Sequence, residues 1–159
     1  MALRIGSRGS ALARWQATEV QRRLVEMGVA AEIEWVETSG DRASVGRLAA
    51  IGGKGLFTQE LETGLRAGDL DVAVHSLKDV PTEPAKGLIL AAMLEREDPR
   101  DALVAGAGLT LVGLPSGARI GTSSLRRQAQ LLALRPDLEV HPLRGNVDTR
   151  LRKWREGAC

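Results

Sequence analysis

Five short phrases in this 159-residue chain bring together residue types that do chemistry. They are Ser7-Arg8-Gly9-Ser10, Gly52-Gly53-Lys54-Gly55, His75-Ser76-Leu77-Lys78-Asp79-Val80-Pro81, Gly121-Thr122-Ser123-Ser124-Leu125-Arg126-Arg127 and Arg144-Gly145-Asn146-Val147-Asp148-Thr149-Arg150. Hydroxyls and glycines beside arginine point to anion capture, because guanidinium grips a carboxylate or phosphate in a two-pronged fork. Lys78-Asp79 asks for a different chemistry. An ionisable pair that follows an apolar run and precedes Pro81 is not needed for packing. In a crevice it serves charge stabilisation or proton transfer. Asp79 is a carboxylate among many cations, so it can stabilise developing positive charge, which the arginines cannot.

The pattern around these phrases predicts the elements that hold them. Leu3–Gly6 reads as a strand, broken at residues 7–10. A helix follows, with apolar positions Leu12, Trp15, Ala17, Val20, Leu24 and Met27 and a stop at Gly28. Glu32–Thr38 is a second strand, and residues 39–55 form a loop. A helix over Leu56, Phe57, Glu60, Leu61 and Leu65 closes near Gly68. Asp71–His75 is a compact strand, residues 76–84 a turn, and Leu88–Leu94 an apolar run. A charged seam spans Glu95–Asp101. Beyond it, Ala102–Ala105 reads as a strand and residues 106–117 are glycine-rich. Then come strand Ala118–Gly121, a helix opened by Thr122-Ser123-Ser124 and running through Leu134, strand Glu139–Leu143, and a basic helix ending at Gly157. Alternating strands and helices predict an α/β fold with a parallel or mixed sheet. Each phrase lies at or near a strand-to-helix junction. There, free N–H groups and helix dipoles favour anions at the carboxyl ends of strands. Both halves use one device: a strand, a small polar turn, a helix.

Plainer readings compete. Taken singly, Ser10 and Ser124 are better read as helix N-caps. Arg126 and Arg127 could be a solvated helix face. Residues 52–55 could be a flexible turn and are not a nucleotide-binding loop, because Leu48 stands where its first glycine belongs and Gly55 replaces its Ser/Thr. Gly106-Ala107-Gly108 fails as a dinucleotide fingerprint, with Leu111 in place of the third glycine. For His75 a satisfied, partly buried histidine is the preferred reading. Trp15, Trp35 and Trp154 are expected in the core or at its edge.

Composition narrows the classes. Apolar residues make up 43% and charged residues 26%, a globular balance. No apolar run reaches the ~18 residues of a membrane helix, and the first residues lack a signal-peptide core, so the expectation is a cytoplasmic chain without membrane contact. One cysteine, Cys159, excludes an internal disulfide, and with two histidines, His75 and His141, no metal site is expected. Lys and Arg total 22 against 20 Asp and Glu, yet residues 119–159 hold nine against four. That basic half favours a carboxylate or phosphate partner. Nucleic acid is the weakest option, since one Phe, no Tyr and three Trp give bases little to stack on.

Together the phrases resemble the porphobilinogen deaminase (hydroxymethylbilane synthase) family, from Leu3 to the last residues. The likeness includes Trp15-Gln16-Ala17, Gly-Gly-Lys-Gly-Leu-Phe at 52–57, Glu-Arg-Glu-Asp-Pro-Arg-Asp-Ala at 95–102, Arg135-Pro136-Asp137-Leu138 and Leu-Arg-Gly-Asn-Val at 143–147. The resemblance implies a transferase of tetrapyrrole and heme biosynthesis. Such an enzyme joins four porphobilinogen molecules head to tail, releasing ammonia, to give hydroxymethylbilane. It implies a two-lobed fold like type II periplasmic binding proteins with the active cleft between lobes. Domain 1 would span residues 1–97, incomplete without its returning strands, and the first part of domain 2 residues 98–159, with the C-terminal part missing. It also implies a dipyrromethane cofactor held through a thioether on a cysteine beyond residue 159, which Cys159 does not match, and a monomeric full-length protein. Asp79, Arg8 and Lys78 match catalytic positions. Ser10, Lys54, Ser76, Thr122, Ser124, Arg126, Arg127, Arg144 and Arg150 match positions for cofactor or substrate. Ala50 departs from a lysine found in some relatives. The chain alone is expected to bind carboxylated pyrroles without turnover. The alternative is a two-lobed binding protein for a carboxylated small molecule, without catalysis.

Overall fold

The computed structural model describes residues 1–42 and 57–159. The phrase at 52–55, with Lys54, and Ala50 lie outside the described residues. The chain divides into two compact units, residues 1–92 and residues 93–159. Both are α/β, and every strand pair described is parallel.

Unit 1 is built on β1 (Leu3–Arg8), α1 (Ala11–Glu26), β2 (Ala31–Val36), α2 (Ser39–Arg42), α3 (Gln59–Ala67) and β3 (Val72–Ala73). Its sheet has the order β2-β1-β3, with Ile5 opposite Ile33 on one side and Val72 on the other. As the middle strand β1 is the most buried, and Ile5 and Ser7 are fully enclosed. Ile5, Ala17, Leu61 and Leu70 form the core. Gly6 is required by a close approach, because a Cβ there would strike the side chain of Leu70 and come within 2.7 Å of Leu61 Cδ2. Helix α1 starts where Ser10 Oγ accepts from Ala13 N, and α3 ends at Gly68, whose φ of 76° suits glycine.

Unit 2 contains β4 (Arg119–Gly121), α4 (Leu125–Leu134), β5 (Glu139–His141) and α5 (Val147–Arg155). The two strands pair in parallel, Ile120 opposite Val140. Leu138, immediately before β5, is buried. Arg135 clasps the glycine-rich segment. Its guanidinium donates to the carbonyl oxygens of Leu111, Val112, Leu114 and Pro115, and to both Asp137 oxygens at 2.7 Å.

Three expectations are corrected. Residues 102–105 are not a strand. A strand needs a hydrogen-bonded neighbour, and among the described residues none pairs with this stretch, so Leu103 and Val104 are left exposed. The third strand is shorter than Asp71–His75, because the chain leaves the sheet after Val74 N bonds Gly6 O and turns at residues 77–79. Trp15 and Trp35 are exposed rather than core, whereas Trp154 is half-buried. Trp35 lies on the edge strand β2, covered by Arg14, whose Cζ is 4.4 Å from the ring centre. Among the described residues no helix is long and apolar enough to cross a membrane.

Candidate functional site

In unit 1 the carboxyl ends of all three strands meet. Strand β1 ends at Arg8, β2 leads to Thr38 and α2, and β3 leads through His75 and Ser76 into a 3-10 turn at Leu77–Asp79. Parallel strands in register therefore deliver residues distant in sequence to one edge. Arg8 is the hinge of the arrangement. Its Nη1 donates to Asp79 Oδ2 at 3.4 Å, while Nη2 and Nε donate to Asp41 at 2.5 and 3.1 Å. The guanidinium lies 4.2 Å from the centre of the Phe57 ring. Arg8 is 14% exposed, Asp41 21% and Asp79 25%, so these charges act in a partly desolvated setting where their fields are strong.

Two supporting residues were not found by the sequence reading. Asp41 is one. Thr38, fully buried, and Asp41 form a capping box across α2: Asp41 N donates to Thr38 Oγ1 at 3.3 Å, and Thr38 N donates to Asp41 Oδ2 at 3.3 Å. Thr38 Oγ1 also donates to Asp41 Oδ2 at 2.7 Å. Burial opposes ionisation of Asp41, but the Arg8 and Thr38 hydrogen bonds outweigh it and hold the carboxyl below its usual range. The signal was present in the spacing Thr-x-x-Asp at 38–41, which runs from the end of the second expected strand into the stretch read as loop. Gln16 is the other residue; it accepts from Ser76 Oγ at 2.8 Å and ties the turn to α1.

Lys78 is exposed in the same turn as Asp79. His75, at the end of the β3 segment, is half-buried. Burial lowers its pKa, against the raising effects of Asp79 and Glu62, with Arg8 lowering it further.

Unit 2 repeats the device with more exposed parts. Strand β4 runs into Thr122, whose Oγ1 accepts from Ser124 N at 3.2 Å. Ser124 caps α4 by accepting from Arg127 N. Arg126 and Arg127 both reach Asp101, at 3.1 and 2.8 Å. These two hydrogen bonds, Arg127 first, hold the Asp101 carboxyl below its usual range. After β5, Arg144 is exposed and Arg150 half-buried. The Arg150 Nε is buried without a hydrogen-bond partner. A buried donor of this kind is costly unless an acceptor reaches it.

Unit 1 thus brings together Arg8, Ser76, Lys78 and Asp79, with Ser10 beside them as a helix cap. Unit 2 gathers Thr122, Ser124, Arg126 and Arg127 at one junction, and Arg144 and Arg150 at the next. The arginine-rich turns can grip carboxylates, and Asp79 supplies the opposite charge.

Comparison with known proteins places the chain in one family. Residues 3–159 match the family model described as porphobilinogen deaminase, dipyromethane cofactor binding domain. The chain is 53% identical to the porphobilinogen deaminase of Geobacter sulfurreducens over 97% of its own length and 49% of that protein's. It is 55% identical to that of Syntrophotalea carbinolica over 98% and 50%, and 52% identical to that of Caulobacter vibrioides over 98% and 52%. The chain therefore spans about half the length of the curated relatives it matches.

Proposed function

This chain belongs to the porphobilinogen deaminase family, and from that premise we propose that it carries the carboxylate-gripping and charge-stabilising half of a hydroxymethylbilane synthase. The whole enzyme joins four porphobilinogen molecules head to tail and releases ammonia at each step. The observation that carries the reading is the pairing of Asp79 with Arg8 at the carboxyl edge of the unit 1 sheet. A polycarboxylated pyrrole needs both partners: cations for its acetate and propionate, and a fixed anion for the positive charge that appears when its amine leaves.

The family uses a dipyrromethane cofactor. The residues present fit a group of that chemistry. The unpartnered Arg150 Nε, with Arg126, Arg127 and Arg144, makes a donor set suited to carboxylates, and Thr122 and Ser124 add hydroxyls. When bound, the cofactor supplies the pyrrole on which the chain grows. In this proposal the residues of the chain do the rest. Arg126, Arg127, Arg144 and Arg150 hold carboxylates; Arg8 and Lys78 flank the reacting ring. The Asp79 carboxylate faces the ring nitrogen and stabilises cationic character as the carbon–nitrogen bond breaks and the next carbon–carbon bond forms. Ser10, Ser76 and Lys54 complete the set. We further read the two units as parts of a two-lobed, periplasmic-binding-protein-like fold divided near residue 97.

Calorimetric titration with porphobilinogen, alongside ammonia release, tests the reading. The 159-residue chain should bind porphobilinogen weakly without sustained ammonia release, and Arg126→Ala should weaken binding and flatten its salt dependence. Loss of a charge-assisted hydrogen bond costs ~1.5–3 kcal/mol when shielded and less at an exposed arginine. No binding at all, or turnover abolished by Asp79→Asn, would overturn the respective half of the proposal.

A further inference from the structure

Three of the five N–H donors of Arg8 are engaged, and its side-on fork is spent on Asp41. One side of its guanidinium, Nε and Nη2, is taken by Asp41, and only Nη1 reaches Asp79, at the long distance of 3.4 Å. Phe57 covers the guanidinium face. Asp41 is itself fixed from behind by the Thr38 capping box. The result is a chain of command from Thr38 through Asp41 and Arg8 to Asp79. Its three charged members sum to one net negative charge.

We propose that Asp41 is a positioning residue that keeps Arg8 from neutralising Asp79. Without Asp41, the fork of Arg8 would turn onto Asp79 and form the two-pronged pair that guanidinium and carboxylate prefer. Asp79 would then be matched charge for charge, with nothing left for a cation. With Asp41 in place, Arg8 spends its fork on Asp41 and offers Asp79 a single long contact. The Asp79 carboxylate stays oriented, and its charge stays available. The functional half of the inference rests on the proposed role of Asp79; the geometric half does not.

Two measurements separate them. The first is nitrogen NMR of the Arg8 Nε–H, which exchanges slowly with water when held in a fork. In the wild-type chain it should exchange more slowly than that of exposed Arg155. Asp41→Asn should give a new Arg8 signal, and Asp41→Glu, which restores the charge, should return it toward the original. Asn keeps an oxygen for Thr38 N–H, so the cap survives the change. An Arg8 signal as labile as that of Arg155 in the wild type, or unaltered by Asp41→Asn, overturns the proposal whether or not the chain binds any pyrrole.

The second is titration with 2-aminomethylpyrrole, a cationic pyrrole without carboxylates, and with succinate, a dicarboxylate. Asp41→Asn should weaken 2-aminomethylpyrrole binding about tenfold, the scale of one hydrogen bond to a charged group, with no loss of succinate affinity. Asp41→Glu should recover most of it. A merely structural role for Asp41 would weaken both probes together and would overturn the inference. Wild-type protein that ignores 2-aminomethylpyrrole yet shows the Arg8 behaviour would refute the proposed role of Asp79 and leave Asp41 as the anchor of Arg8.

Discussion

Residues 1–92 and residues 93–159 carry the same local device on different foundations. Each has an Arg-Ile-Gly-hydroxyl strand, at 4–7 and at 119–122, that runs into a serine-capped helix. Each sets an aspartate against its arginines, Asp41 on Arg8 and Asp101 on Arg126 and Arg127. The foundations differ. In unit 1 the strand is central in a three-stranded sheet and its arginine is 14% exposed; in unit 2 the sheet has two strands and Arg126 is 60% exposed. The same residues therefore have unequal electrostatic weight. Arg8 and Asp79 interact partly shielded from water, while Arg126 and Asp101 form the kind of exposed pair that contributes little. A local motif can place charges, but only the surrounding core determines how strongly they act.

The largest test of that difference lies in the cores. Leu61 is fully buried beneath β1, and Leu134 on α4 is 71% exposed. Leu61→Ala should cost about 2–5 kcal/mol in urea unfolding, by lost burial and the cavity left behind. Leu134→Ala should stay within about 0.5 kcal/mol. Equal losses would mean that Leu134 is as well buried as Leu61, and the contrast in burial would fail.

The caps give a smaller effect and should make the units look alike. Ser10 Oγ accepts from Ala13 N, and Ser124 Oγ from Arg127 N. Cap energy depends on the first turn of a helix and hardly on the core behind it. Ser10→Ala and Ser124→Ala should each cost about 1 kcal/mol of unfolding free energy. A cap loss several times larger in one unit would show that the hydroxyl there does more than end a helix.

What the sequence made legible follows the same line. Strands β1 and β4, both serine caps and the glycine stop of α3 are written in residues next to one another, so periodicity and capping chemistry reveal them. The short stretch 102–105 looks like a strand because it is apolar, but sheet membership depends on a partner that local pattern does not specify. Trp15 and Trp35 look like core because of their size, yet their faces are set by the edge position of β2 and the side of α1 that meets the sheet. The counterions were hidden for a related reason. Arg8 and Asp41 are brought together by the register of β1 with β2, and Asp101 reaches Arg126 from 25 positions away. Asp41 could have been found from its capping-box spacing, and Asp101 could not.

The smallest effect tests how dry unit 1 is at its reacting edge. His75 ends the β3 segment, half-buried, and burial is the main cause that lowers its pKa. Asp79 and Glu62 pull the other way, and Arg8 adds to the lowering. An unfolded histidine titrates near ~6.5. Between that value and the lower folded one, the unfolded chain holds more protons than the folded chain, so stability rises with pH. His75 thus destabilises the fold progressively as pH falls below about 6.5, and the penalty levels off below the folded pKa. Asp79→Asn removes the leading attraction for the proton. It should push the His75 imidazole titration, followed by NMR, further down and extend that window toward lower pH. If His75 titrated at its ordinary value in the wild type, the edge of unit 1 would be as wet as that of unit 2. The contrast between the two charge sites would then rest on geometry alone.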